Sequence, residues 1–236
     1  MKLRKKNTVA PIFWMLLLPA LFCCNGCNST PGEKTSEKKR FVDIYIRFLV
    51  PENEYKTQIT FLEGDSTENL RPVQLTGDVT WNGLPLRLKN PGSMELRYEY
   101  LKSGPYTARN DFVFKAENDN SRTISIAMDA ITGFSIGPTI PRAEGTTLET
   151  TGPLLSEGET LLFLFTDEQG NTREIPFKGP RQSSTFELTP KMIGSLLPGK
   201  HELYLIKQQQ RESIQQQQSV YSMVEWYSEV KEVVVR

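Results

Sequence analysis

The chain of 236 residues carries 28 basic and 28 acidic side chains, one His and three Cys. Three Cys are too few for a disulfide scaffold, a single apolar run excludes a multi-span membrane protein, and balanced charge leaves no basic excess for holding nucleic acid. The charge is unevenly placed: Lys2, Arg4, Lys5 and Lys6 all precede the first acid, Glu33, and without them 24 basic residues face 28 acidic ones.

The basic residues 2–6 lead into the apolar residues 9–22, which end in the small-residue step Asn25-Gly26-Cys27. That order predicts a secretory signal peptide over residues 1–26, since a run of roughly 14–16 apolar residues, holding Pro11 and Pro19, is shorter than the ~20 needed to cross hydrocarbon. All three Cys fall at positions 23, 24 and 27. The segment Leu21-Phe22-Cys23-Cys24-Asn25-Gly26-Cys27 resembles the lipobox of bacterial lipoprotein precursors. The resemblance implies cleavage before a Cys that becomes acylated and heads the mature chain. Gly26 suits the small position before Cys27, and Cys24, preceded by Leu21-Phe22-Cys23, is the alternative lipidation site. Either choice implies a partner membrane reached through a lipid anchor, in a bacterial cell envelope. Asn28 after Cys27 resembles lipoproteins that are released to the outer membrane.

Residues 27–40 read as a flexible tether, because NSTPGEKTSEKKR offers no apolar side chain larger than the Pro31 ring and cannot offset its ordering entropy. From Phe41 the pattern has period two: Val42, Ile44, Ile46, Phe48 and Val50 alternate with Asp43, Tyr45, Arg47 and Leu49. Further strands are expected over 56–63, 73–81, 84–89, 94–100, 111–117 and 123–128. Asn82-Gly83 between Trp81 and Leu84 is a two-residue hairpin signal, since a type I′ turn needs positive φ at both positions.

The second half repeats the style, with strands expected over 161–165, 173–178, 185–188, 201–207 and 220–235. Thr189-Pro190 marks a short helix start. Residues 41–131 and 132–236 each hold 10 basic and 13 acidic residues, as two ordinary small domains would. The fold class predicted is all-β: two tandem antiparallel β-sandwich domains, 41–131 and 132–236, after the signal and tether. The stretch from Phe186 to Ile206, with its corner Leu196-Leu197-Pro198-Gly199, resembles the E-strand, corner and F-strand of immunoglobulin-like and fibronectin type III-like modules. His201 stands where those modules often place a Tyr. The resemblance implies a fold for 132–236 and no chemistry.

Chemistry is sparse. His201 is the single imidazole and its phase with Leu203 and Leu205 turns it inward, so neither a zinc site nor a Ser-His or Cys-His relay is available. No metal and no cofactor is expected. Hydrolysis of a glycan by two carboxylates stays open, because two acids suffice and need not be close in sequence. In the last strand Trp226 is phased inward and Tyr221 and Tyr227 outward, which makes the two Tyr candidates for an aromatic platform. Seven Gln lie within residues 208–218, read as a solvated hairpin tip. The expectation is a non-catalytic, lipid-anchored envelope protein whose modules bind or scaffold, with an envelope protein or a glycan as partner and no nucleic acid. The alternatives are a carbohydrate- or peptide-binding surface lipoprotein and a two-carboxylate glycan hydrolase.

Overall fold

Val42, Ile44, Ile46 and Phe48 form the buried face of the first strand, β1 (Lys39–Leu49), as their alternation requires. The computed structural model describes residues 39–90, 92, 96–115 and 120–236. Cys24 and Cys27, with the signal and nearly all of the tether, lie outside the described residues.

After β1 the first half supplies β2 (Glu54–Gly64), β3 (Arg71–Pro72), β4 (Val79–Trp81), β5 (Leu84–Pro85), β6 (Arg87–Lys89), β7 (Arg97–Ser103), β8 (Arg109–Lys115) and β9 (Ser121–Ala127). The second half supplies β10 (Gly133–Ile136), β11 (Thr139–Ile140), β12 (Thr146–Thr151), β13 (Glu159–Asp167), β14 (Thr172–Lys178), β15 (Thr185–Leu188), the short helix α1 (Pro190–Ile193), β16 (Gly199–Gln215), β17 (Gln218–Tyr227) and β18 (Lys231–Val235). The Asn82-Gly83 turn adopts the expected positive φ angles, 47° and 77°.

A large sheet runs in the order β11-β18-β16-β17-β1-β2-β7-β6, with β13 and then β14 flanking β16 and with β3 on β2. Two small sheets cover its inner face. The sheet β5-β4-β8-β9 packs against β2 through Phe61 on Phe114, with ring centroids 4.8 Å apart, and Tyr55 on Trp81, 5.0 Å apart. The sheet β10-β12-β15 packs against β13 and β14 through Phe186, whose ring meets Phe163 at 5.4 Å and Phe177 at 5.1 Å. Some of the polar groups that enter the core are paired. Trp81 Nε1, for example, donates to Asn110 Oδ1 at 2.9 Å, so the indole is buried without an orphaned donor. The Thr57 hydroxyl and Gln218 Oε1, by contrast, are buried without a partner among the described residues.

The expectation of two tandem antiparallel sandwiches is corrected here. The protein is all-β and multi-sheet, but its halves do not close separately. Strand β17 pairs in parallel with β1, from Phe41↔Ser219 to Leu49↔Tyr227, so a hairpin from the chain's last quarter completes the sheet of its first half. The described residues accordingly fall in one unit, and the buried side chains form one cluster reaching from Val42 to Val235. Strand β16 is the shared spine. Its first part pairs with β13 and β18, and its second part pairs with β17.

Several strand bounds differ for identifiable reasons. The expected strand 84–89 breaks at the buried Leu86, where the chain passes from the small sheet to the large one. The expected strand 220–235 breaks at Ser228, whose hydroxyl accepts from Leu205 N–H at 2.9 Å and donates to Glu229 O at 2.7 Å, while its own N–H donates to Leu205 O at 2.9 Å. The Gln segments belong mostly to the ladder: only Gln216 and Gln217 form the turn, at φ 51° and 60°, while Gln209 and Gln218 are buried. The tip also serves an edge, because Gln215 Oε1 accepts from Ser125 N–H of β9 at 3.3 Å and Arg122 donates to Gln216 O at 3.0 Å. Covering exposed strand groups in this way protects an otherwise free edge.

Candidate functional site

The outer face of the large sheet carries the side chains that alternate with the core set. On β1 these are Phe41, Asp43, Tyr45 and Arg47. On β17 they are Ser219, Tyr221, Met223, Glu225 and Tyr227, which lie beside the β1 residues in register. Both candidate tyrosines stand on this face and both are half-buried. Six residues separate them, about 20 Å along a strand, so they do not form one platform.

Tyr227 belongs to a hydrogen-bonded cluster centred on Glu225. Its hydroxyl donates to Glu225 Oε2 at 3.1 Å, Tyr45 donates to the same oxygen at 2.7 Å, and Gln208 Nε2 donates to Oε1 at 2.8 Å. The Tyr227 ring stacks on Tyr204 at 6.4 Å. Burial first, and then the charge of Glu225, push the Tyr227 phenol up to about 12, and the same two causes raise Tyr45. Tyr227 is therefore held edge-on to a carboxylate rather than left free to meet a ligand.

Tyr221 lies in a cleft of about 560 Å³. Phe41, Leu62 and Tyr221 contribute from the sheet face, Ile214 stands at one side, and Thr67 and Leu70 of the β2–β3 connection form the opposite wall. Glu212, Tyr221 and Asp43 form a row across three adjacent strands, β16, β17 and β1. The apolar surroundings raise the Asp43 carboxyl above its ordinary value by desolvation, although its surface stays open to solvent. Neither Asp43 nor Glu212 has an ion pair or side-chain hydrogen bond among the described residues. Without such bonds their rotamers are not fixed, and the row is a patch of negative charge beside an apolar floor rather than a positioned acid and base.

His201 is 3% exposed, with Nδ1 3.3 Å from Gly199 O at the corner that opens β16. It is packed into the corner, away from the cleft. Among the described residues no group of three or more His, Cys, Asp or Glu side chains is arranged to hold a metal ion. No helix among them is long and apolar enough to cross a membrane.

The cleft was not legible in the sequence, because it depends on the pairing of β17 with β1 across a separation of 178 residues. Its one local signal was Ile214, a large aliphatic residue standing alone in a polar run and 82% exposed in the fold.

No protein-family model matches the chain, and no curated protein matches it. Eight chains of solved structures match. One is described as the crystal structure of a tetra-tandem repeat in the extending region of a large adhesion protein. The match covers 84% of this chain and 49% of that one, at 15% identity and a TM-score of 0.30. The chain thus spans about half the length of that structure.

Proposed function

We propose that this chain is a lipid-anchored protein of the bacterial cell envelope, held by Cys27, or alternatively Cys24, whose β-rich module binds or scaffolds a partner. The observation that carries the binding reading is the outer sheet face. It holds an apolar cleft with carboxylates at its rim that, among the described residues, have no ion pair or hydrogen-bonded base. The anchor is supported by the basic leader, the short apolar run and the lipobox-like segment. Two or more acyl chains, at about 0.8 kcal/mol per buried CH₂, would hold the module at a membrane surface without spanning it.

Fractionation of cells expressing wild type, Cys24→Ala, Cys27→Ala and the double variant tests the anchor. The expected result is wild type in the membrane fraction, with release on loss of one particular Cys. A double variant that stays with membranes refutes lipidation.

A glycan is the second reading of the partner, favoured by the exposure of Tyr221 between two carboxylates, because a ring and flanking acceptors suit a sugar face and its hydroxyls. Glycan-array binding by wild type that disappears in Tyr221→Ala would support it. An array on which Tyr221→Ala binds as well as wild type would dismiss it.

A further inference from the structure

Strand β13 stops short on the spine. It pairs with β16 from Asp167↔His201 to Glu159↔Gln209, whereas β16 continues to Gln215. The last backbone bond on that side runs from Gln210 N–H to Gly158 O at 3.3 Å. Backbone groups alternate in direction along a strand, so Glu212 and Ile214 point their N–H and C=O groups to the same side as Gln210. No backbone group of the described residues meets them there. In line with β13 the sheet has a notch of about 440 Å³, bordered by Gly158, Lys178, Gly179, Gln210 and Glu212. The notch and the outer-face cleft share Glu212.

We propose that an extended segment of a partner protein adds to β16 at Glu212–Ile214 as a further strand, seated in the notch. This rests on the reading of the module as a binding one. Unpaired strand groups supply main-chain hydrogen bonds to an added strand, and alternate side chains of that strand supply the specificity. The side chains on the outer face would lie beside Ile214 and Glu212. Ile214 offers an uncovered aliphatic surface and Glu212 a negative charge with no cation paired to it, while Asp43 adds negative charge on the same face two strands away, about 10 Å. Lys178 borders the notch on the far side and forms no ion pair with either carboxylate. The fitting segment therefore presents, two positions apart on one face, an aliphatic residue and a Lys or Arg. A sugar is the weaker fit because most of the cleft surface is apolar, with Phe41, Leu62, Leu70 and Ile214 facing it.

The test is fluorescence anisotropy of the labelled peptide acetyl-Leu-Thr-Lys-Thr-Leu-amide titrated with the full-length chain in detergent. Saturable binding is expected, weakened at least tenfold by Asp43→Asn with Glu212→Gln and by replacing the peptide's Lys with Glu. N-methylation separates strand addition from docking on the face. Methyl groups on one alternate set of peptide nitrogens should abolish binding, and on the other set should leave it intact. The substituted carboxylates are solvent-facing, and a thermal melt of the variant no lower than that of wild type would show that the fold survives. The proposal is overturned by no saturable binding, by equal binding of both methylated peptides, by binding insensitive to the double substitution, or by chitohexaose binding in place of the peptide. A negative titration with membrane fractionation intact refutes strand addition alone, whereas loss of the membrane-bound fraction on its own refutes the anchor.

Discussion

Lys207 Nζ lies 2.9 Å from Glu159 Oε2, with the two side chains 1% and 4% exposed, where the spine strand passes from one half of the protein to the other. The ammonium also donates to Asp129 O, in the connection between β9 and β10, at 2.8 Å. Glu159 accepts in addition from Ser156 N–H at 2.8 Å and from Gln209 Nε2 at 3.2 Å. Buried charge is tolerated only when paired and hydrogen-bonded, and here both conditions hold. The pair thereby ties together the connection, the start of β13 and the middle of β16.

Removing one partner leaves the other charge buried and uncompensated. Lys207→Met should cost about 3–5 kcal/mol of stability, read as a lower denaturant midpoint. Adding Glu159→Gln should recover part of that loss. A double variant no more stable than the single one would show that lost packing, not the orphaned carboxylate, is responsible.

The β16–β17 turn places two non-glycine residues, Gln216 and Gln217, in the left-handed region. That conformation costs L-residues roughly 1–2 kcal/mol each, while Asn-Gly suits a two-residue hairpin. Replacing Gln216-Gln217 with Asn-Gly should therefore stabilise the protein by about 1–2 kcal/mol. Urea unfolding should show a higher midpoint at an unchanged slope. An unchanged midpoint would mean that the left-handed turn costs Gln216 and Gln217 no more than it costs Asn-Gly.

Tyr227 should ionise near pH 12, well above the ordinary phenol value of 10.0, in a spectrophotometric titration. Because the folded value is raised, the stability contributed by the protonated phenol is complete below pH 10 and is lost as pH climbs towards 12. Glu225→Gln should lower the midpoint without restoring the ordinary value, since burial is the larger cause. A full return to the ordinary range would assign the whole shift to the carboxylate.

Asp43 carries the opposite cost for a carboxylate. Its folded value lies above the ordinary carboxylate value of 3.8, so the associated stability is present below 3.8 and is lost as pH rises through the folded value. Asp43→Asn should then melt above wild type at pH 7, with the gap narrowing as pH falls to about 3.5 and below. A gap independent of pH would assign the effect to packing.

Local patterns in the sequence carried most of the strands and little of their arrangement. The alternation from Val42 to Phe48, the Asn82-Gly83 turn, the Thr189-Pro190 helix start and the inward phase of His201 all follow from short-range geometry and appear as expected. The parallel pairing of β1 with β17 had no local sign, because nothing in either strand specifies a neighbour nearly 180 residues away. The glutamines misled for a related reason. Polar composition suggests solvent exposure, yet Gln209 is buried because the Lys207–Glu159 site supplies a partner for its amide. Tyr221 and Tyr227 were correctly phased outward, but their different fates depend on Glu225 and on the β2–β3 connection, neither visible from the spacing of the two rings.

The pairing of β1 with β17 also sets an order of events. The first half of the sheet stays two strands short until residue 227 has left the ribosome, and at about 5–20 residues per second the wait from residue 131 is roughly 5–20 s. Through that interval β1 has an open flank, and a chain truncated before β17 would keep it permanently. Quality control that removes C-terminally incomplete copies would therefore meet an exposed strand at the opposite end of the sequence from the damage.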